Sequence, residues 1–307
     1  MLEILIAKIS SLAVIMATGF LLVKVGPLSE EDTRSLSRVV CYLVMPCNIF
    51  NAFQMERTPE VTRGLMLVLL AAVLLHVLMC TVNRLLKKPL KLTPAEQTST
   101  LYTNAGNLII PLVSSMLGPQ WVIYTCAYIL VQNVLTWSHG KYLICQQKRI
   151  DWKSLLFNPN IIALTLGFLC FLGNIRLPEL LSTTLTSIGS MVGPMAMLVI
   201  GMTIGALRLR TVFCHIRVWF IAALRLLFYP LLCLGLLKAL CLIFPGSAPY
   251  FMVSMMAASA PSAALITNMC QLYNRDPSYA SSICTVTTTL CTFTIPLMIH
   301  LYILFCM

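Results

Sequence analysis

What most constrains this chain is the near absence of charge from long stretches of it. Runs of about twenty apolar residues follow one another from Ile4 to Tyr302, separated by short loops that hold the charged residues, prolines and glycines. A helix of that length matches the hydrocarbon thickness of a bilayer. Ten such runs are expected as transmembrane helices, near residues 4–24, 36–55, 64–86, 95–117, 120–145, 158–174, 180–206, 216–244, 249–273 and 278–305. With 59% hydrophobic and only 10% charged residues among 307, the chain has too little polar surface to cover a soluble globule of its size. The fold class expected is therefore an all-α polytopic membrane protein. The first run is too long for the apolar core of a cleavable signal and lacks a small-x-small cleavage site, so it reads as the first span.

The net charge of +11 does not point to nucleic acid, because the basic residues sit in short loops between spans. Lys24, Arg34 and Arg38 fall in the first loop, Arg84, Lys87, Lys88 and Lys91 in the third, and Lys141, Lys148, Arg149 and Lys153 in the fifth. Arg208, Arg210 and Arg217 follow in the seventh and Arg275 in the ninth, against only Arg57, Arg63 and Arg176 in the even loops. Basic loops stay on the cytoplasmic side, so both termini are expected outside a cell membrane, plasma or inner.

Proline spacing suggests two related halves. Pro46 and Pro111 are 65 residues apart and Pro194 and Pro261 are 67 apart, an offset of 148 to 150 between the pairs. An odd number of spans inverts the second copy, so residues 1–145 and 158–307 read as two inverted five-helix repeats joined by the basic loop from Gln146 to Phe157.

Two spans carry interruptions. Thr103–Gly118, TNAGNLIIPLVSSMLG, and Met255–Asn268, MMAASAPSAALITN, combine small residues, asparagines and a mid-span proline. Pro111 cannot donate a backbone hydrogen bond, which places the expected break between Gly106 and Ile110. Half-helices starting near Pro111 and Pro261 would point N-termini, each with about half a positive charge, at a shared site suited to a carboxylate. Asn104, Asn107 and Ser259 flank the breaks, and Asn48 and Gln132 are candidates to complete the wall. Gln132, Thr136 and His139 share one helical face.

Every Asp and Glu lies at a span end or in a loop, which disfavours the embedded-carboxylate chemistry of cation exchangers. Arg225 is the strong base well inside a span: either a functional charge or a side chain that snorkels to the interface. Gly189, Gly193, Gly201 and Gly205 suggest close helix packing, within the chain or between subunits. The thirteen cysteines form no CxxC pair, so they read as packing residues, with no metal or cofactor expected. No HExxH, GxSxG or Walker A signature is present, and no enzyme is expected.

Five blocks in order carry a family resemblance: Gly19–Phe53, Asn104–Gly118 (NAGNLIIPLVSSMLG), Asn158–Phe168 (NPNIIALTLGF), Gly193–Gly205 (GPMAMLVIGMTIG), and the stretch ASAPSAALITNMCQLYNRDPSYASSICTVTTTLCTFTIP ending at Pro296. The chain resembles the auxin efflux carrier family in its bacterial form, a group that includes malate and malonate permeases. The resemblance implies ten helices in two inverted repeats, with spans 4 and 9 broken where they cross. It also implies a dimerising scaffold from spans 1, 2, 6 and 7 and a transport bundle from spans 3–5 and 8–10. Plant members export the indole acetate anion and bacterial members are linked to small carboxylates. Gly64–Val73 is uncharged here, whereas plant carriers have an acid and lysine pair in that region.

The function expected is a secondary transporter moving a small organic anion by an elevator-type mechanism, as a homodimer in the lipid bilayer. The alternatives are a membrane ligand sensor built on the carrier fold and a sodium-coupled symporter of the bile-acid type.

Overall fold

The computed structural model describes residues 2–145, 157–206, 215–273 and 275–307. Most of the basic connecting segment, residues 146–156, lies outside them, as do Lys148, Arg208 and Arg210, on which part of the topology assignment rests. Among the described residues the secondary structure is helical, with no strand beyond an isolated antiparallel bridge between Thr103 and Ser262.

In chain order the helices are α1 (Leu2–Lys24), α2 (Glu30–Val39), α3 (Met45–Ala52), α4 (Pro59–Lys87), α5 (Pro94–Leu101), α6 (Ile110–Met116), α7 (Val122–Leu135) and α8 (Lys141–Cys145). They continue as α9 (Pro159–Leu172), α10 (Glu179–Ser190), α11 (Val192–Ala206), α12 (Ile216–Ala223), α13 (Tyr229–Ile243), α14 (Ala248–Ala258), α15 (Ala264–Leu272) and α16 (Pro277–Cys306). Wider π-helical turns at Val40–Val44, Ala105–Ile109, Thr136–Gly140 and Leu224–Phe228 join α2 to α3, lead into α6, and link α7 to α8 and α12 to α13. Continuous helix over Pro59–Lys87, Glu179–Ala206, Ile216–Ile243 and Pro277–Cys306 is long and apolar enough to cross a membrane. Shorter apolar helices include Ser11–Lys24, Ala105–Met116, Pro159–Leu172 and Ala248–Ala258. This is a multi-pass membrane protein.

Helix starts follow local chemistry. Ser29 caps α2 in a reciprocal box, its N–H donating to Asp32 Oδ2 at 2.8 Å while its hydroxyl accepts from the Asp32 N–H. The hydrogen bond from the Ser29 side chain, seconded by the one from its backbone, holds the exposed Asp32 carboxyl below its usual value. Thr93 and Glu96 form the same box at α5, and Asn158 caps α9 with Pro159 in the first turn.

The chain divides into two compact units. The first comprises Met1–Leu65, Gly106–Cys126 and Lys153–Leu207. Here α1 packs along α11, and α9 and α10 pack on α3. Glycines let the backbones approach: a side chain at Gly201 would collide with the Met16 carbonyl, one at Gly205 with the Phe20 carbonyl, and one at Gly19 with the Leu198 carbonyl. Gly167 lies under the Phe53 ring, and Gly189 against Asn48, whose Nδ2 donates to the Gly189 carbonyl at 3.2 Å. The glycine face of Gly189, Gly193, Gly201 and Gly205 is thus occupied inside this unit. It supplies no argument for a subunit interface.

The second unit comprises Met66–Ala105, Ala127–Trp152 and Arg208–Met307. Its core includes Leu92, Val218, Ile221, Ala222, Ile283 and Val286. Buried Asn83 Nδ2 donates to Thr100 Oγ1 at 3.0 Å and to the Tyr229 hydroxyl at 3.2 Å, which fixes α5 between α4 and α13. Arg217 Nε pairs with Glu96 Oε1 at 2.7 Å, and the Tyr279 hydroxyl donates to the same oxygen at 2.7 Å. Lys91, Arg217 and Arg275, assigned from sequence to one side of the membrane, line a single cavity at this end of the unit.

Candidate functional site at a helix crossing

The break in the fourth span lies ahead of its expected position. α5 ends at Leu101 and the backbone turns extended at Tyr102, with φ −103° and ψ 125°. Pro111 instead stands in the first turn of α6. The chain is already helical ahead of it, since the π-helical turn Ala105–Ile109 runs directly into α6, and that wider turn accommodates the missing N–H without a break. In the ninth span α14 ends at Ala258 and α15 begins at Ala264, with Pro261 inside the gap. The two prolines therefore do not mark equivalent places, and the regular offset between them is not a structural register. The residue that faces Ser262, next to Pro261, is Thr103.

At that point the two interruptions join. The Asn104 N–H donates to the Pro261 carbonyl at 2.8 Å and the Ala263 N–H to the Tyr102 carbonyl at 3.0 Å. This leaves Thr103 and Ser262 opposite one another as a pair whose own backbone groups face outward. In an apolar environment those groups need partners, and side chains of the following spans provide them. Gln132 Oε1 accepts from Thr103 Oγ1 at 2.6 Å and from the Thr103 N–H at 3.4 Å, while its Nε2 donates to the Thr103 carbonyl at 2.7 Å. On the other side the Ser262 N–H donates to Thr287 Oγ1 at 3.2 Å and Cys284 Sγ donates to the Ser262 carbonyl at 3.5 Å. The Tyr102 hydroxyl lies 2.7 Å from His139 Nδ1, and its ring packs where Gly140 has no side chain.

Asn104, Gln132 and Pro261 meet at the crossing. Gln132 spends both ends of its amide on Thr103, so it holds backbone rather than presenting a free wall. Ser259 donates its hydroxyl to the Met255 carbonyl at 2.8 Å, which closes the end of α14. Asn107 and Pro111 belong to the first unit. There Asn107 Oδ1 lies 4.0 Å from Cys41 Sγ, Pro111 lies beside Gly193 with Ser115, and Asn48 binds Gly189.

Ser262 was not among the sequence candidates. Its side chain is fully buried at the crossing and its Oγ has no hydrogen-bond partner among the described residues. The signal was adjacency to Pro261, which the more obvious Ser259 obscured. Arg225 does not snorkel. It is 0% exposed and donates to the carbonyls of Thr100 at 3.1 Å, Ala260 at 2.9 Å, and Ala258.

The arrangement thus brings together an unpartnered buried hydroxyl, the N-terminus of α15 and a buried guanidinium on backbone carbonyls. Among the described residues no cluster of His, Cys, Asp or Glu is placed to hold a metal ion. A family model described as membrane transport protein matches residues 4–299. A search of curated proteins returned no match.

Proposed function

Since the chain belongs to the membrane transport protein family, that of the auxin efflux carriers, we propose that it is a secondary carrier whose cargo is a small organic anion bound at the helix crossing. That family is one of transporters, not enzymes. The observation that carries the anion reading is the buried pairing of Thr103 with Ser262, with an unpartnered Ser262 hydroxyl beside the N-terminus of α15 and Arg225 on the carbonyl side. A helix N-terminus adds about half a positive charge and free N–H donors, which favours a carboxylate without a lysine.

Division of the chain into two compact units supports an elevator-type cycle, in which the second unit carries the anion and the first is the static scaffold. A homodimer would form through the first unit by surfaces other than its span-7 glycines. With both termini outside, the membrane potential contributes roughly 2.3 kcal/mol per charge per 100 mV toward export of an anion. The uncharged Gly64–Val73 favours aliphatic carboxylates over indole acetate as the natural cargo.

The test is thermal unfolding of the purified protein with indole-3-acetate, malate, malonate and their neutral amides. A ligand at a hundred times its Kd stabilises the native state by about 2.7 kcal/mol. At least one carboxylate is expected to raise the melting temperature while its amide does not. Equal effects of acid and amide, or none from any carboxylate, would remove the anion reading.

A further inference from the structure

The helix over Ile216–Ile243 carries Arg217 and Arg225 eight residues apart, and α5 is itself eight residues long. At 1.5 Å per residue both intervals span about 12 Å. The two arginines meet opposite ends of α5. Arg217 binds Glu96 in its first turn, and Arg225 Nη1 donates to the Thr100 carbonyl in its last. Arg225 reaches further: its Nε donates to Ala260 and its Nη2 to Ala258, at the end of α14.

The last carbonyls of a helix lack intrahelical donors and together carry about half a negative charge. Here two such ends, one from each broken span, converge on one buried guanidinium. Thr100 is two residues before Tyr102, and Ala260 immediately precedes Pro261. Each anchor is therefore fixed within a few residues of the backbone bonds of the crossing.

We infer that Arg225 is the positioning residue of the crossing: one guanidinium joins the C-terminal carbonyls of α5 and α14 and sets the register in which Tyr102–Asn104 and Pro261–Ala263 pair. The planar fork is what the task requires, since it aims N–H groups in fixed, divergent directions, whereas a lysine offers three donors at one point. Its charge also offsets the two negative helix ends, so that they do not cancel the positive N-terminus of α15. That consequence bears on the proposed anion site, but the positioning role does not depend on it.

Hydrogen–deuterium exchange of the ligand-free protein in nanodiscs tests this, comparing wild type with Arg225→Lys and Arg225→Gln. In Arg225→Gln the peptides covering residues 102–104 and 259–263 are expected to exchange at least about tenfold faster, as loss of charge-assisted hydrogen bonds implies. Arg225→Lys should show a smaller rise in the same two peptides, and peptides of α4 and α16 should match wild type in both. Unchanged exchange at the crossing, or an equal rise throughout the chain, would overturn the inference. Should Arg225→Gln not be recovered folded, Arg225→Lys decides: selective acceleration at the two peptides supports the role and wild-type exchange rejects it. Because no ligand is present, failure of every carboxylate to bind would leave this result standing.

Discussion

Gly201→Val is expected to abolish recovery of the folded protein. A Cβ at this position would stand inside the Met16 carbonyl group, with the Phe20 nitrogen 2.9 Å away. Those neighbours are backbone atoms of α1, so no rotamer change relieves the collision. The helices themselves would have to separate. Within a bilayer, helix association depends on close packing rather than on exclusion of water, so a lost approach is not recovered elsewhere. Overpacking a core costs typically 1–3 kcal/mol when side chains can adjust, and here more is expected because they cannot. Size-exclusion chromatography of a fluorescent fusion from mild detergent provides the measurement. The monodisperse peak should vanish for Gly201→Val and weaken for Gly201→Ala. Gly235→Ala is the control, since nothing lies within 4 Å of its added Cβ; it should leave the peak intact. A normal peak for Gly201→Val would show that α1 and α11 do not pack as described.

Gln132→Leu is expected to be the most damaging change at the crossing itself. The amide serves the hydroxyl, the N–H and the carbonyl of Thr103, all buried. A leucine of similar size fills the space and strands all three. Each stranded buried group costs about 1–3 kcal/mol, so a fall in stability of several kcal/mol follows, seen as a large drop in melting temperature. If Gln132→Leu melts with wild type, the amide is not what satisfies Thr103. The change would also expose whether the crossing melts before the rest, because exchange at Asn104 and Ala263 would then quicken ahead of α16.

Much of this architecture was legible in the residues. Apolar runs bounded by loop charges marked the helices, and the small, polar, proline-containing stretches at Thr103–Gly118 and Met255–Asn268 marked where two of them are interrupted. What misled was treating proline as a breaker wherever it fell inside an apolar run. Pro261 does lie in a break, but Pro111 sits inside the helix Ala105–Met116, directly after a π-helical turn that accommodates its missing N–H. The break at Tyr102–Asn104 has no such marker: its residues are extended because Pro261 and Ala263 bond to them, and that pairing is a tertiary fact. Arg225 was visible as an intramembrane charge, yet its destination was not, since backbone carbonyls at helix ends leave no trace in a sequence. The same holds for Ser259 and Ser262, three residues apart in one motif. One closes its own helix and the other keeps its hydroxyl unspent.

The measurement that bears most directly on the crossing as the carrier site is counterflow into proteoliposomes of the carboxylate that most stabilises the protein, comparing wild type with Ser262→Ala. Removing a buried hydroxyl without a partner should leave the melting temperature of the empty protein unchanged, since no protein hydrogen bond is lost. If that hydroxyl donates to the bound anion, its loss removes a hydrogen bond to a charged group, about 1.5–3 kcal/mol, or roughly a tenfold or greater rise in half-saturating concentration. An unchanged melting temperature with that rise is the predicted result. Counterflow by Ser262→Ala at the wild-type rate and half-saturation would contradict it and place the anion elsewhere.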